Sequence, residues 1–164
     1  YELIMFKTIL ETNNIYLNNA AYQYLKMVSK SPESYTHVSF LFDQYNNILS
    51  YRPNIYFKTK TYPHTQHSEI ATIINYYSKK YIKQSNSNKT LLILRINNNS
   101  FGLSKPCKHC ANFILNNWTN LKLKKVIYSN ANGTFNILNK YDLIYGKFCD
   151  SSSVRARKDN LLIM

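Results

Sequence analysis

HSE at residues 67–69 and PCKHC at residues 106–110 are the two stretches that decide the fold and chemistry of this chain. Their imidazole and two thiols are ligand types that Zn²⁺ prefers, and three protein ligands leave one tetrahedral position for water. Zinc lowers the pKa of a bound water and so prepares a nucleophile near neutral pH. Glu69, two residues after His67, has a carboxyl group that can move protons during such a reaction. The two stretches therefore predict a hydrolytic zinc site.

The spacing of the cysteines places them at the start of a helix. Pro106 suits a first helical position, where its missing N–H group costs nothing. Cys107 and Cys110 are three residues apart, so their sulfur atoms lie on the same side of the helix. The positive end of the helix dipole favours thiolate over thiol. We therefore expect both cysteines to be metal ligands, together with His67.

Two other interpretations of the same residues remain open at this point. The two cysteines could be small buried residues or a redox pair, with His67 an ordinary surface histidine. Alternatively, zinc could be held in a closed structural site by a fourth protein ligand. His109 lies between the cysteines and should point away from a metal that they share. His64, three residues before His67, is harder to exclude as the fourth ligand.

Composition indicates one domain of ordinary globular character. The chain has 164 residues, of which 45% are hydrophobic. It has no apolar stretch of the roughly eighteen residues that a transmembrane helix needs, and no signal peptide is expected at its N-terminus. Two of its three cysteines belong to the motif, which leaves Cys149 alone. An odd cysteine without a disulfide framework favours a reducing, intracellular compartment, in the cytoplasm or nucleus.

The charge balance favours a polyanionic partner. Lys and Arg total 21 against 8 Asp and Glu, giving a net charge of +13 and a pI near 9.6. Nucleic acid is the first candidate for such a surface, although A/T-rich codons would also raise the lysine content. Residues 141–164 are expected to include a basic C-terminal extension, in which Arg155 and Arg157 could contact phosphate. The alternative for this run is a solvated tail.

Hydrophobic periodicity predicts an α/β domain with the order α-β-β-α-β-α-β-β. Helices are expected at residues 15–29, 67–83 and 107–118, where apolar side chains recur at helical spacing. Strands are expected at 36–42, 48–51, 91–96, 125–129 and 134–138, with Asn132-Gly133 as a hairpin turn. Residues 52–66 and 97–105 are expected to be loops. The predicted fold is a central mixed five-stranded sheet with helices packed on its faces.

The two motifs in this order resemble the cytidine deaminase-like superfamily of zinc-dependent base deaminases, over roughly residues 15–140. The resemblance implies that His67, Cys107 and Cys110 bind zinc and that Glu69 is the proton shuttle. It also implies that Asn54 contacts the sugar or base, although the surrounding Tyr-Arg-Pro-Asn sequence lacks the family's usual glycine. Ser68 stands where alanine is commoner. Ser104 is also expected to contact substrate.

The resemblance implies hydrolytic deamination but leaves the substrate open. Cytosine in single-stranded nucleic acid is the favoured target, and loop aromatics could stack on its bases; these are Tyr51, Tyr56, Phe57, Tyr62 and Phe101. Free deoxycytidylate and the adenosine of transfer RNA are alternatives within the same chemistry. A different class of function is a non-catalytic, zinc-stabilised basic protein associated with nucleic acid or with a virus particle. No membrane partner is expected, and an oligomer is compatible with the sequence.

Overall fold

The structure of the chain, a computed structural model, describes residues 2–30, 36–57, 64–79, 86–97 and 100–151. Helices and strands alternate along most of this part of the chain. In order, the elements are α1 (Glu2–Thr12), α2 (Asn19–Ser29), β1 (Thr36–Asp43), β2 (Ile48–Pro53), β3 (Ile55–Phe57), β4 (His64–Gln66), α3 (Ser68–Ser78), β5 (Lys89–Asn97), β6 (Ser100–Gly102), α4 (Lys108–Leu121), β7 (Leu123–Ser129), β8 (Phe135–Leu138) and α5 (Lys140–Tyr145).

A central mixed sheet organises these elements. Its strand order is β2-β1-β5-β7-β8, with the short β6 paired to β5, and β3 and β4 pair separately. β5 and β7 are parallel, whereas β1 is antiparallel to both β2 and β5. A parallel pair needs a crossover connection, and α4 supplies it here. The predicted α/β fold with a central mixed sheet is confirmed.

Alternating side chains of the central strands form one core on each face of the sheet. On one face, Phe6 and Leu25 of the N-terminal helices pack with Val38 and Leu94. On the other face, Ile73 of α3 and Ile114 of α4 pack in a second core, which also contains Leu41, Leu91 and Ile93. Successive strand residues point to opposite faces, so odd-numbered residues of β1 and β5 face α3 and α4. This face carries the two sequence motifs.

The structure adds elements that the periodicity did not predict. Helix α1 is apolar on most sides, so it shows no clear amphipathic stripe, yet its Phe6 and Leu10 are fully buried. The predicted first helix, at residues 15–29, begins only at Asn19, because the side chain of Asn18 caps it by accepting from the Ala21 N–H at 2.8 Å.

Four further elements lie in segments that were expected to be loops or an extension. β3 and β4 pair within residues 52–66, and β6 pairs with the end of β5 within residues 97–105. These strands have three residues each, too few to show a period. Helix α5 starts with a capping box between Asn139 and Asp142 and buries Leu143 in the second core. None of the described helices is long and apolar enough to span a membrane.

Candidate metal centre and active site

The starts of helices α3 and α4 bring the two sequence motifs together. His67 and Cys107 are the N-cap residues of these helices, and Cys110 lies in the first turn of α4. Both N-cap residues have extended backbones and carbonyl groups that accept the first helical hydrogen bonds, from the N–H groups of Ala71 and Ala111. Because both helices pack on one face of the sheet, their first turns form a common site.

The donor atoms of this site are spaced as a zinc ion requires. The Nδ1 atom of His67 lies 3.2 Å from the Sγ atom of Cys110 and 3.6 Å from that of Cys107. All three donor atoms lie within 4.8 Å of one another. Tetrahedral zinc, with bonds of ~2.0–2.1 Å to nitrogen and ~2.3 Å to sulfur, separates these atoms by about 3.6 Å. The residues present therefore fit a zinc ion.

Contacts between the donor groups shift the pKa values of all three. A hydrogen bond from the Cys110 thiol lowers the pKa of Cys107 to about 4, and His67 adds to this effect. The same hydrogen bond and burial raise the pKa of Cys110. A hydrogen bond to Cys107 likewise raises the pKa of His67, against the effect of burial. A cation at the site would displace protons and take both sulfurs as thiolates.

Glu69 is a buried carboxyl group next to the donor atoms. Its side chain is only 3% exposed, and burial raises its pKa above the usual value. Its Oε2 atom accepts a hydrogen bond from the Ser68 hydroxyl at 3.4 Å, and the Ser68 hydroxyl also lies 2.7 Å from that of Ser39 on β1. Ser68 thus links the acid to the sheet, and burial favours the protonated form of the carboxyl group.

Asn54 holds the start of α3. Its Oδ1 atom accepts from the backbone N–H of Ser68 at 2.8 Å, one of the N–H groups that have no partner within the helix. Its own N–H donates to the carbonyl of His37 at 3.2 Å. Asn54 therefore ties the start of α3 to β1. Its predicted contact with substrate stays a prediction.

Ser104 fixes the loop that leads to Cys107. Its side chain is 2% exposed, and its hydroxyl donates to the carbonyl of Ile93 at 2.7 Å. Its backbone N–H donates to the carbonyl of Ser129 at 2.9 Å, and the two serine hydroxyls lie 2.9 Å apart. These bonds hold the loop against β5 and β7, and the expected substrate contact of Ser104 stays a prediction.

The other residues that were considered for substrate or metal contacts lie in different surroundings. Phe101 is a core residue, 3% exposed and packed against Phe6 and Phe135, which corrects its expected place among base-stacking aromatics. Tyr51 is partly exposed and stacks on Phe40. His109 is exposed. The remaining predicted positions lie outside the residues, or side chains, that the structure describes: Tyr56, Phe57, Tyr62, His64, Arg155 and Arg157.

The sequence interpretation missed His37 and Arg95. These residues are directly opposite each other on β1 and β5, on the face that carries α3 and α4. Burial lowers the pKa of His37 to about 4, and the charges of Arg95 and His67 lower it further. Arg95 directly follows the apolar Leu91 and Ile93 on this face of β5, and that change from apolar to charged was the available signal.

The segment after α5 returns to the start of α4. The N–H of Lys108 donates to the carbonyl of Cys149 at 2.8 Å. The Nζ atom of Lys105 donates to the carbonyl of Lys147 at 2.9 Å and lies 5.1 Å from the ring centroid of Phe148. Exposed lysines therefore surround the start of the helix that carries both cysteines.

Comparison with solved structures finds similarity to a 1.6 Å crystal structure of cytidine deaminase from Burkholderia pseudomallei. The two chains are 15% identical, and the match covers 80% of this chain and 100% of the other, with a TM-score of 0.47. No protein-family model and no curated protein matches the chain. The functional interpretation of the chain therefore depends on its own residues.

Proposed function

We propose that the chain is a zinc-dependent hydrolase that removes the exocyclic amine of a nucleobase, with cytosine the favoured base. The observation that carries this proposal is the convergence of three zinc-type donor atoms beside the buried acid Glu69. These residues follow the H-x-E and P-C-x-x-C order that is typical of base deaminases. The proposed location is intracellular, where a reducing compartment keeps the thiols free.

His67, Cys107 and Cys110 would hold the zinc ion. When bound, zinc supplies the activation of water for attack on the ring carbon that bears the amine. Among the residues that the structure describes, the cluster of close donor atoms contains these three and no fourth. Three protein ligands are typical of catalytic zinc, whereas structural zinc usually has four. The donor set therefore favours a catalytic site.

Glu69 would move the protons of the reaction. Burial raises the pKa of Glu69, so the carboxyl group would hold a proton more readily than an exposed glutamate, as a proton shuttle requires. Its Oε atoms would take one proton from the attacking water and deliver it to the ring nitrogen, and would then carry the second proton from the new hydroxyl group to the amine, which leaves as ammonia. The hydrogen bond from Ser68 keeps the carboxyl group in place.

Single-stranded nucleic acid is the proposed substrate. The net charge of +13 favours a polyanion. Lys105, Lys108 and Lys147 are exposed around the start of α4, where they would lie close to a strand entering the site. The carbonyl of Cys149 accepts a hydrogen bond from the N–H of Lys108 at the start of α4. Arg155 is six residues after Cys149, and six residues of fully extended chain span about 20 Å. The tail could therefore bring its arginines to phosphates beside the target base.

A non-catalytic role is the second candidate. The His67, Cys107 and Cys110 side chains join α3 to α4, so zinc would stabilise the fold whether or not a base is deaminated. In that case the basic surface would bind nucleic acid, within a particle or otherwise, without turnover. If the chain is a deaminase, free deoxycytidylate and the adenosine of transfer RNA are the alternative substrates.

A substrate panel tests the proposal. Zinc-loaded protein is incubated with single-stranded DNA and RNA containing one cytosine, with transfer RNA, and with deoxycytidine monophosphate. Mass spectrometry detects the gain of about one mass unit that accompanies exchange of an amine for an oxygen. Deamination of the strands supports the proposal. Turnover of deoxycytidine monophosphate alone would show that the substrate is a free nucleotide. Zinc-loaded protein that binds strands but changes no base would favour the non-catalytic role.

A further inference from the structure

We infer that Arg95 recognises a phosphate group next to the target base, from a wall of the substrate cleft that it forms with His37. This inference rests on the proposed function and adds a specificity residue to it. The phosphate could belong to a mononucleotide or to a nucleic-acid strand, and its chemistry is the same in both.

The position of this pair relative to the metal centre follows from contacts on β1. Ser39, two residues after His37 on the same face, lies with its hydroxyl 2.7 Å from that of Ser68, in the first turn of α3. Along β1, His37 is therefore the next residue on this face beyond the one that meets the start of α3, near the first residue of the strand. Its carbonyl accepts from Asn54, which in turn binds the N–H of Ser68. The pair thus lies one strand position beyond the start of α3, close enough to His67 for its charge to act on His37.

Arg95 also borders the loop that carries the other two ligands. Its backbone N–H donates to the Ser129 hydroxyl at 3.2 Å, and that hydroxyl contacts Ser104, two residues before Pro106. On its β6 side, Arg95 is directly opposite Gly102, which has no side chain. Directly opposite residues of paired strands point to the same face. At this neighbouring position, therefore, no side chain stands beside Arg95 on the face that carries the metal centre.

The chemistry of the pair suits a phosphate. A guanidinium group offers paired N–H donors in a planar fork that matches phosphate oxygens and keeps its charge at all working pH values. Arg95 is half-buried, and its backbone is held in a central strand of the sheet. The lowered pKa of His37 keeps that neighbour neutral, so it does not add a second positive charge.

Binding measurements on a zinc-loaded Glu69→Gln background separate recognition from turnover. Deoxycytidine monophosphate is compared with deoxycytidine, and a cytosine-containing oligonucleotide is compared with one that has a neutral methylphosphonate beside the cytosine. Each is titrated against the background protein and against variants that add Arg95→Gln or Arg95→Lys. Arg52→Gln is the matched control, because Arg52 is an exposed guanidinium that contacts Asn75 of α3 at 2.9 Å. Zinc content and thermal unfolding are recorded for every variant.

Arg95→Gln is expected to weaken binding of the charged ligand of each pair by about tenfold or more. The affinity for the neutral ligand should stay within about twofold of that of the background protein. Arg95→Lys should recover part of the lost affinity for the charged ligand, and Arg52→Gln should not change it. If only deoxycytidine monophosphate loses affinity, the phosphate that Arg95 recognises is that of a free nucleotide. If only the charged oligonucleotide loses affinity, the phosphate belongs to a nucleic-acid strand.

Equal weakening of charged and neutral ligands, or unchanged binding of all four, would overturn the inference while leaving deamination by the parent chain intact. A zinc-loaded parent that neither binds nor deaminates any of these ligands would overturn the inference and the proposed function together.

Discussion

The Nδ1 atom of His67 lies 3.2 Å from the Sγ atom of Cys110, although 43 positions separate the two residues in the chain. This proximity depends on α3 and α4 packing on the same face of the sheet, so the metal centre and the second core form together. Binding of a metal ion by these residues would therefore be thermodynamically linked to folding.

Removing one sulfur ligand tests that linkage. Cys110→Ser is expected to lower zinc affinity by more than about a hundredfold, because even partners that only orient ligands are worth about 10–100-fold. It should also lower the thermal unfolding temperature of the zinc-loaded protein. Elemental analysis and calorimetry measure the two effects. Cys149→Ser is the matched control, because Cys149 is an exposed free thiol and should keep one zinc per chain. Equal zinc content in both variants would remove Cys110 from the ligand set.

Asn54 is expected to contribute to stability independently of substrate. Asn54→Ala removes the acceptor for the Ser68 N–H and should cost about 1–2 kcal/mol of unfolding free energy, as loss of a helix cap does. Asn54→Asp keeps the acceptor and should recover most of that loss. Urea unfolding of both variants measures the difference. If both variants have the stability of the parent, the contact with Ser68 has no structural role.

Lys89 is expected to stabilise the fold through the end of α4. It is 2% exposed and donates to the carbonyls of Leu121 at 2.9 Å and Ser87 at 3.0 Å. Lys89→Met keeps most of the side-chain volume but leaves buried carbonyls without this donor, which should cost about 1–3 kcal/mol. Lys124→Met, at an exposed position, is the control and should change the unfolding free energy by less than about 0.5 kcal/mol. A Lys89→Met variant as stable as this control would contradict the assignment.

His37 is expected to make the fold less stable in mild acid. Its pKa of about 4 in the folded chain lies below the ordinary value of 6.5, so between these values the unfolded chain binds more protons. Stability should therefore fall as the pH drops from about 6.5 to about 4, by at most about 1.4 kcal/mol per pH unit from this group. His37→Gln should show a shallower decline in urea unfolding over that range. Parallel declines in parent and variant would show that the folded pKa of His37 is not lowered.

The sequence predicted those parts of the fold that depend on local pattern. The β-branched and apolar runs of β1, β5 and β7 and the apolar spacing of α3 and α4 were sufficient to place the central elements. The two motifs identified His67, Cys107 and Cys110 as neighbours, because zinc chemistry requires them to converge. Helix α1 escaped prediction, since residues such as Met5 make it apolar on its exposed side as well.

The remaining parts of the site depend on tertiary contacts that no local pattern encodes. The pairing of His37 with Arg95 requires the register of two strands, and the two residues are more than fifty positions apart in the chain. Asn54 was selected as a substrate contact by resemblance, whereas its hydrogen bond to Ser68 depends on where β2 ends relative to α3. Phe101 was counted among loop aromatics because the short strand β6, which turns it into the core, was not predicted.

Replacement of Glu69 tests the central claim most directly. The measurement is the deamination rate of a single-stranded cytosine oligonucleotide, followed by mass spectrometry on zinc-loaded parent and Glu69→Gln proteins of equal zinc content. Glutamine keeps the size of the buried side chain but cannot carry a proton between water and the leaving amine. Zinc-loaded parent protein should convert cytosine to uracil, and Glu69→Gln should do so at least about a hundredfold more slowly. A Glu69→Gln protein that deaminates as fast as the parent would contradict the proposed mechanism.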